Sequence, residues 1–224
     1  MMVHRPGTAR LWAKVWRLSV CVVAASLAAP FSGTPSSGAI QNGSESPTEV
    51  VRATLTEVLR ILADPKLKDP AQSASRRRML EEVISSRFDY REMSKRTLAS
   101  QWNRLSEAER AEFVELFKTF LSDRYGSRID EYSGEKVEYL GERLEGQYAE
   151  VRTKLVSSKT QFPMDYRLIN KSGKWYAYDI VADGISLVKN YRSQFERIIR
   201  ADSYQQLVKR LRDRTVTEDT NRKR

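Results

Sequence analysis

The sequence predicts an α+β domain in which helices flank a four-stranded antiparallel sheet. Apolar residues recur at helical spacing before Lys136 and after Ser186, whereas between these residues they alternate with polar ones. Short turns separate the alternating segments, and short connections make neighbouring strands antiparallel. A run of strands that is preceded and followed in the sequence by helices is the pattern of an α+β fold.

The amino-terminal segment has the layout of a secretory signal peptide. It is basic, with no acidic residue before Glu45, and its apolar run 18–29 is short for a membrane span. We therefore predict a signal peptide over residues 1–39, and an uncleaved membrane anchor is the alternative. The remaining domains are predicted as a linker over 40–47, a folded domain over 48–213 and a basic, disordered tail over 214–224.

Cleavage would remove the only cysteine and the only histidine, Cys21 and His4. The mature chain would then have no thiol nucleophile, disulfide or Ser-His triad, and it would lack the usual ligands of zinc and other transition metals. The lone carboxylates Asp89, Asp165 and Asp179 are interpreted as structural hydrogen-bonding groups. The residues themselves therefore indicate no catalytic or metal centre, and neither a cofactor nor a metal is expected. From periodicity alone, the apolar stripes are expected to pack on one another, and a ligand cavity between them is the alternative.

Cleavage also lowers the net charge. It removes four of the 39 Lys and Arg residues and none of the 29 Asp and Glu residues, so the net charge falls from +10 to +6. Such a modest charge is interpreted as an aid to solubility. Export argues against nucleic acid as a partner.

The helical elements can be placed from their boundary signals. The first helix is predicted to begin at Thr48 and to end at Asp64-Pro65, and the second begins at Arg76. A short helix over 91–98 follows. The capping box at 106–109 then opens the most clearly periodic helix, which carries three phenylalanines on one stripe. A second capping box at Ser203 opens the last helix, which runs through Leu207, Val208 and Leu211.

Four strands are predicted, over residues 136–144, 147–156, 161–170 and 175–181. One face of the second strand carries Ala149, Val151, Thr153 and Leu155, and one face of the third carries Phe162, Met164, Tyr166 and Leu168. Asp183-Gly184 turns the chain after the last strand, because glycine accepts a positive φ. Ser186 is predicted to cap the helix that follows.

The run from Trp175 to Phe195, WYAYDIVADGISLVKNYRSQF, resembles the signature of the MlaC, or toluene-tolerance, family. FDYREM at 88–93 and LSEAER at 105–110 resemble the helical half of the family in the same order. Ala177 and Ile185 stand where the family more often has valine, and both keep the position apolar.

The resemblance implies a cone similar to the cystatin-like and NTF2-like folds, in which helices wrap the four-stranded sheet and enclose an apolar lipid cavity. It implies a periplasmic, non-catalytic carrier of phospholipid between the outer and inner membranes, which maintains the lipid asymmetry of the outer membrane. The implied partners are an outer-membrane lipoprotein complex and an inner-membrane ABC transporter with a ring-shaped substrate-binding subunit. The protein itself is expected to be a monomer.

The predicted lipid-binding residues lie on apolar stripes close to this signature. They are Phe117, Phe120, Tyr125, Val137, Tyr139, Val151, Leu155, Met164, Tyr166, Leu168, Tyr178, Ile180, Leu187, Val188 and Tyr191.

Two alternative functions remain open. An NTF2-like enzyme would share the cone but would need a buried carboxylate at the floor of the pocket. A structural envelope protein would have the same apolar stripes packed into a filled core. Sequence periodicity is the same for a filled core and for an open one.

Overall fold

The computed structural model describes residues 45–130, 134–157, 161–214 and 216 of the 224-residue chain. The predicted signal peptide, the first part of the predicted linker and most of the predicted tail lie outside the described residues. The last two linker residues take part in the first helix, because Ser46 caps it by accepting a hydrogen bond from the Glu49 amide. The helix therefore begins one residue earlier than predicted, at Pro47.

Six α-helices are present in the described part of the chain. They are α1 (Pro47–Ala63), α2 (Ser73–Arg87), α3 (Tyr90–Leu98), α4 (Glu107–Asp130), α5 (Leu187–Ala201) and α6 (Tyr204–Arg212). Helix α2 starts earlier than predicted because a 3₁₀ turn over Pro70–Gln72 leads directly into it. None of the described helices combines the length and the apolar character that crossing a bilayer requires.

The predicted helix caps are confirmed. The Ser106 hydroxyl accepts from the Glu109 amide at 3.3 Å, and the Glu109 carboxylate accepts from the Ser106 amide at 2.8 Å. The hydroxyl of Ser203 accepts from the Gln206 amide at 3.1 Å at the start of α6. Ser186 caps α5 in the same way, and local sequence therefore fixes where these three helices begin.

The sheet has five strands, so the prediction of four was one short. The strands are β1 (Lys136–Glu145), β2 (Tyr148–Val156), β3 (Gln161–Lys171), β4 (Lys174–Ala182) and β5 (Ile185–Ser186), in that spatial order and antiparallel throughout. Asp183 and Gly184 both have positive φ, at 49° and 77°, as a tight two-residue hairpin turn requires. The turn folds the chain straight back, and two residues join the sheet before α5 begins.

Two irregularities interrupt the strand register. One lies between Tyr139 and Gly141 in β1. In the other, Leu168 lies opposite Ala177 while Arg167 lies opposite Asp179, so β4 has one extra residue, Tyr178. Ala177 and Asp179 consequently lie on opposite faces of the sheet, although regular alternation would place them on the same face.

The buried apolar residues form three clusters. The helical cluster lies among α3, α4, α5 and α6 and includes Met93, Phe113, Phe117, Tyr191, Phe195 and Leu207. The sheet cluster joins Val50 and Val51 of α1 to Ala149, Val151, Tyr166, Leu168, Trp175 and Ala177. A smaller cluster of Ile61, Leu62 and Leu80 joins α1 to α2.

Candidate functional site

Most of the predicted lipid-binding residues lie in or against two of these clusters. The sheet cluster takes Tyr139, Val151, Met164, Tyr166, Leu168 and Ile180. The helical cluster takes Phe117, Phe120, Tyr125, Leu187, Val188 and Tyr191. The structure thus assembles two separate apolar surfaces from a set that was predicted to line one cavity.

One face of the sheet, called the inward face, carries the sheet cluster. Val151 lies opposite Tyr166, and Tyr166 lies opposite Ile180 across the next pair of strands. Leu168 likewise lies opposite Ala149. The predicted faces of the second and third strands are therefore confirmed, because strict alternation fixes which side chains share a face.

Burial along the inward face changes from one end of the strands to the other. Near the β1–β2 and β3–β4 turns, Ala149, Leu168 and Ala177 are at most 5% exposed. At the other end of the same strands, Met164 and Ile180 are only half-buried. Across β2, β3 and β4 the inward face is therefore closed at the first end, called the closed end, and accessible at the second, called the open end. On β1, by contrast, Leu144 lies opposite Ala149 at the closed end and is 57% exposed.

Two predicted residues of the inward face and one residue of α5 lie at the open end. Val137 and Leu155 lie opposite each other on β1 and β2, and both are half-buried. The β4–β5 turn lies at the same end, because the Asp183 amide donates to the carbonyl of Pro163 at 3.0 Å. Helix α5 starts two residues after that turn, which brings half-buried Leu187 to this end.

Tyr178 is the exception among the predicted residues. Its ring makes an edge contact with the Tyr148 ring, at 6.1 Å between centroids, on the face opposite the sheet cluster. The guanidinium of Arg96 on α3 lies 4.1 Å from the centroid of the Tyr178 ring. The extra residue in β4 is the reason, since it breaks the alternation on which the prediction depended.

Sequence reasoning missed the residues that cover the inward face. Val50, Val51 and Leu55 of α1 pack on the sheet cluster. The apolar stripe of the first helix was the available signal, but a stripe does not reveal which surface it covers. Two polar contacts support this packing: Thr48 donates to the Glu142 carboxylate, and the Arg52 guanidinium lies 4.0 Å from the centroid of the Tyr139 ring.

Polar groups on the inward face are few and close together. The Thr153 hydroxyl donates to the backbone carbonyl of Met164, and the Tyr166 hydroxyl donates to the Met164 sulfur at 3.1 Å. Burial raises the pKa of the Tyr166 phenol far above its ordinary value, because the phenolate would lie away from water. The phenol therefore stays protonated at any physiological pH and serves as a hydrogen-bond donor.

Aromatic contacts organise the helical cluster. The Phe117 ring makes edge contacts with Tyr191 and Phe195, at 5.5 and 5.4 Å between centroids. The hydroxyls of Tyr125 and Tyr191 lie 3.0 Å apart and form a hydrogen bond between α4 and α5. These contacts hold the carboxyl-terminal part of α4 against the first half of α5.

A buried carboxylate fixes α5 to the sheet. Asp179 accepts hydrogen bonds from the Ser186 hydroxyl at 2.6 Å, the Val188 amide at 3.0 Å and Arg167 Nη1 at 3.2 Å. Its side chain is 2% exposed, and Arg167 also pairs with Glu150. The predicted structural role of Asp179 is confirmed, because all of these partners lie on β3, β5 and the first turn of α5.

The chemistry available on the inward face is apolar contact with a few hydroxyl donors. Glu142 is the only carboxylate that the register of the described strands places on this face, and it is engaged by Thr48. Among the described residues, no three His, Cys, Asp or Glu side chains are grouped as a metal site would need. The face is therefore suited to an apolar ligand that carries hydrogen-bond acceptors.

The predicted enclosed cavity along the inward face is not shown by the residues that the structure describes. The predicted lining residues of the sheet cluster pack against one another and against α1, while those of the helical cluster pack among α3, α4, α5 and α6. A surface depression of about 590 Å³ lies instead beside the β3–β4 turn. It is lined by Phe88, Asp89, Tyr90, Lys171, Ser172, Lys174 and Tyr176, none of which was predicted to bind lipid.

Comparison with known proteins places the chain among relatives. It is 26% identical over 154 residues to the toluene tolerance protein ttg2D of Pseudomonas putida, covering 67% of this chain and 72% of that protein. It is 22% identical over 122 residues to the intermembrane phospholipid transport system binding protein MlaC of Haemophilus influenzae. That second alignment covers 52% of this chain and 57% of the relative.

A solved structure shares the fold. The phospholipid-binding protein from Ralstonia solanacearum, determined in complex with a phospholipid, matches with a TM-score of 0.67 at 22% sequence identity. The match covers 74% of this chain and 94% of that one. The model of the MlaC protein family matches residues 52–213, which is most of the chain. The chain therefore belongs to the MlaC family.

Proposed function

We propose that this protein is a periplasmic phospholipid carrier, which holds the acyl chains of one glycerophospholipid over the inward face of the sheet. The observation that carries the proposal is the burial gradient along that face. Across β2, β3 and β4 the face is mainly apolar, and it is fully buried at Leu168 and only half-buried at Met164 and Ile180. Acyl chains would enter at the open end and leave the head group outside in water.

The dimensions suit such a cargo. From Phe162 to Leu168 the inward face of β3 extends about 20 Å at roughly 3.3 Å per residue. One leaflet of a bilayer has an apolar depth of about 15 Å. Acyl chains of ordinary length therefore fit between the open end and the closed end of the sheet.

The energetics explain why a carrier must enclose its cargo. Burial of a methylene group is worth about 0.8 kcal/mol, so exposing both acyl chains of a phospholipid to water costs roughly 20 kcal/mol. A bare lipid would cross the periplasm at a negligible rate. Enclosure solves this without covalent chemistry, and we accordingly propose a non-catalytic function in which no cofactor takes part.

The proposed cycle runs between two partners. A monomer would exchange lipid with an outer-membrane lipoprotein complex and with an inner-membrane ABC transporter that has a ring-shaped substrate-binding subunit. The names of the relatives in Pseudomonas putida and Haemophilus influenzae support a transport system of this kind. Such a cycle would maintain the lipid asymmetry of the outer membrane.

Lipid content tests the proposal directly. The full chain would be expressed in a Gram-negative host, purified from the periplasm without detergent, and examined by native mass spectrometry and lipid extraction. We expect one two-chain phospholipid per protein. A lipid-free mass, together with no uptake from phosphatidylethanolamine vesicles, would contradict the carrier and would favour a structural protein with a filled core.

A further inference from the structure

The Tyr166 hydroxyl is a polar group held within an apolar surface. Tyr166 is 6% exposed, and it belongs to the sheet cluster with Val151 and Leu168, both of which are 0% exposed. A buried hydroxyl loses its bonds to water, which costs free energy unless the protein supplies a good acceptor. The strength of the acceptor that the structure supplies therefore shows how well the Tyr166 hydroxyl is satisfied.

That acceptor is the thioether sulfur of Met164, 3.1 Å from the hydroxyl oxygen. A thioether is a weak acceptor, and a methionine side chain adapts easily to a new position. A backbone carbonyl is a stronger acceptor than a thioether, but the carbonyl of Met164 already receives the Thr153 hydroxyl. The Tyr166 donor is thus available to any better acceptor that displaces the Met164 side chain.

The position of this donor matches one part of a phospholipid. Met164 lies nearer the open end and is half-buried, whereas Leu168 lies nearer the closed end and is fully buried. Since Tyr166 donates toward Met164, its hydroxyl points to the open end. The ester carbonyls of a glycerophospholipid join the head group to the acyl chains, so in a lipid bound chains first they lie at this intermediate depth.

We propose that Tyr166 donates a hydrogen bond to an ester carbonyl of the bound phospholipid, with the Met164 side chain moving aside. The inference rests on the proposed carrier function and adds a specificity to it. A lipid with ester linkages would be preferred over an ether lipid of the same head group and chain length. The head group would contribute little to this preference, because it remains outside the apolar face.

Competition between two lipids tests the proposal. The full-length protein would be incubated with vesicles that contain equal amounts of dioleoyl phosphatidylethanolamine and its dioleyl ether analogue, and native mass spectrometry would give the ratio of bound diester to bound diether. A net hydrogen bond changes a binding ratio by roughly fivefold. We expect Tyr166→Phe, which keeps the ring, to lower the diester preference by about that factor.

Two further variants sharpen the result. Tyr148→Phe removes a hydroxyl from the opposite face of the sheet, where it is bonded to Gln147 Nε2, and should keep the wild-type ratio. Met164→Leu keeps the volume but removes the competing sulfur, so it should raise the diester preference. All proteins draw on the same vesicles, and differences between them therefore report the protein alone.

The outcomes separate the two levels of inference. Equal ratios for the wild type and Tyr166→Phe, with lipid bound to both, would overturn the role of Tyr166 and leave the carrier intact. An equally large shift in Tyr148→Phe would overturn it as well. Absence of both lipids from all of the proteins would reject the carrier and this inference together.

Discussion

Replacing Asp179 by alanine should loosen the attachment of α5 to the sheet. The carboxylate accepts hydrogen bonds from the Ser186 hydroxyl and the Val188 amide, and it forms an ion pair with Arg167. Alanine would leave the hydroxyl and the amide without this acceptor in a buried site. Arg167 would keep its second carboxylate partner, Glu150.

The cost follows from these contacts. Each hydrogen bond from a neutral donor to a buried carboxylate is worth about 1.5 kcal/mol or more. The ion pair adds little, because Arg167 is 31% exposed and retains Glu150. We therefore expect Asp179→Ala to lower the free energy of unfolding by about 3 kcal/mol. For a domain of this size, that corresponds to a fall of about 6–12 °C in the melting temperature.

Urea unfolding followed by far-UV circular dichroism would measure this change. Glu150→Gln is the matched control, because it removes the exposed partner of the same arginine and should cost less than about 1 kcal/mol. If Asp179→Ala were no more destabilising than Glu150→Gln, the hydrogen bonds to Ser186 and Val188 would contribute nothing measurable. The account of how α5 is positioned would then be wrong.

Three other changes test different parts of the structure. Val151→Trp or Leu168→Trp should fill the inward face and reduce phospholipid occupancy in native mass spectrometry, whereas Arg152→Trp on the outward face should leave occupancy unchanged. Ser106→Ala removes the cap of α4 and should lower the free energy of unfolding by about 1 kcal/mol in urea titrations, and a wild-type midpoint would show that the cap contributes nothing. Burial raises the pKa of Tyr90 to about 12, because the buried phenol is harder to ionise than one in the unfolded chain. The stability that this pKa difference contributes is complete below the ordinary pKa near 10, and it is lost as the pH rises from about 10 to about 12. Between about pH 9 and 11, Tyr90→Phe should therefore lose less stability than the wild type. Urea midpoints that fall in parallel with pH in the two proteins would contradict this.

The strand faces could be predicted from the sequence because the alternation is regular where they were assigned. In β2, Ala149, Val151 and Thr153 are all buried, and their neighbours are more exposed. The same period of two places Tyr166 and Leu168 on the inward face of β3. A side chain in a regular strand points to one of only two faces of the sheet. Once one residue is assigned to the correct face, the faces of all the others in that strand follow.

The extra residue in β4 is what regular alternation could not reveal. Tyr178 is an aromatic residue like Trp175 and Tyr176 in the same strand, and nothing in its side chain marks an irregular register. The evidence for the bulge is the pairing with β3, which is a contact distant in sequence. Strand β5 escaped prediction for a related reason, since two residues are too few to show any period.

The assembly of the site depends on contacts that a stripe of apolar residues does not encode. Helix α1 was predicted from its apolar stripe. Its position over the inward face, however, depends on contacts of Val50 and Val51 with sheet residues that lie roughly 100 positions later in the sequence. Similarly, Phe117 and Tyr191 lie on strong helical stripes and pack with each other in a cluster separate from that of the sheet. Periodicity identified the apolar surfaces, whereas tertiary packing decided which of them meet.

The packed inward face bears on how a carrier can release its cargo. Val51 and Leu55 contribute the apolar contacts of α1, while Thr48 and Arg52 contribute exposed polar contacts of small free energy. Burial of apolar surface is worth nearly the same whether the partner is a side chain or an acyl chain, at about 25 cal/mol per Å². On the proposed function, an acyl chain that displaces α1 side chains from the sheet therefore replaces one apolar contact by another. The difference in free energy between the loaded and unloaded states is then small compared with the roughly 20 kcal/mol needed to expose two acyl chains to water. Lipid can therefore leave as well as enter.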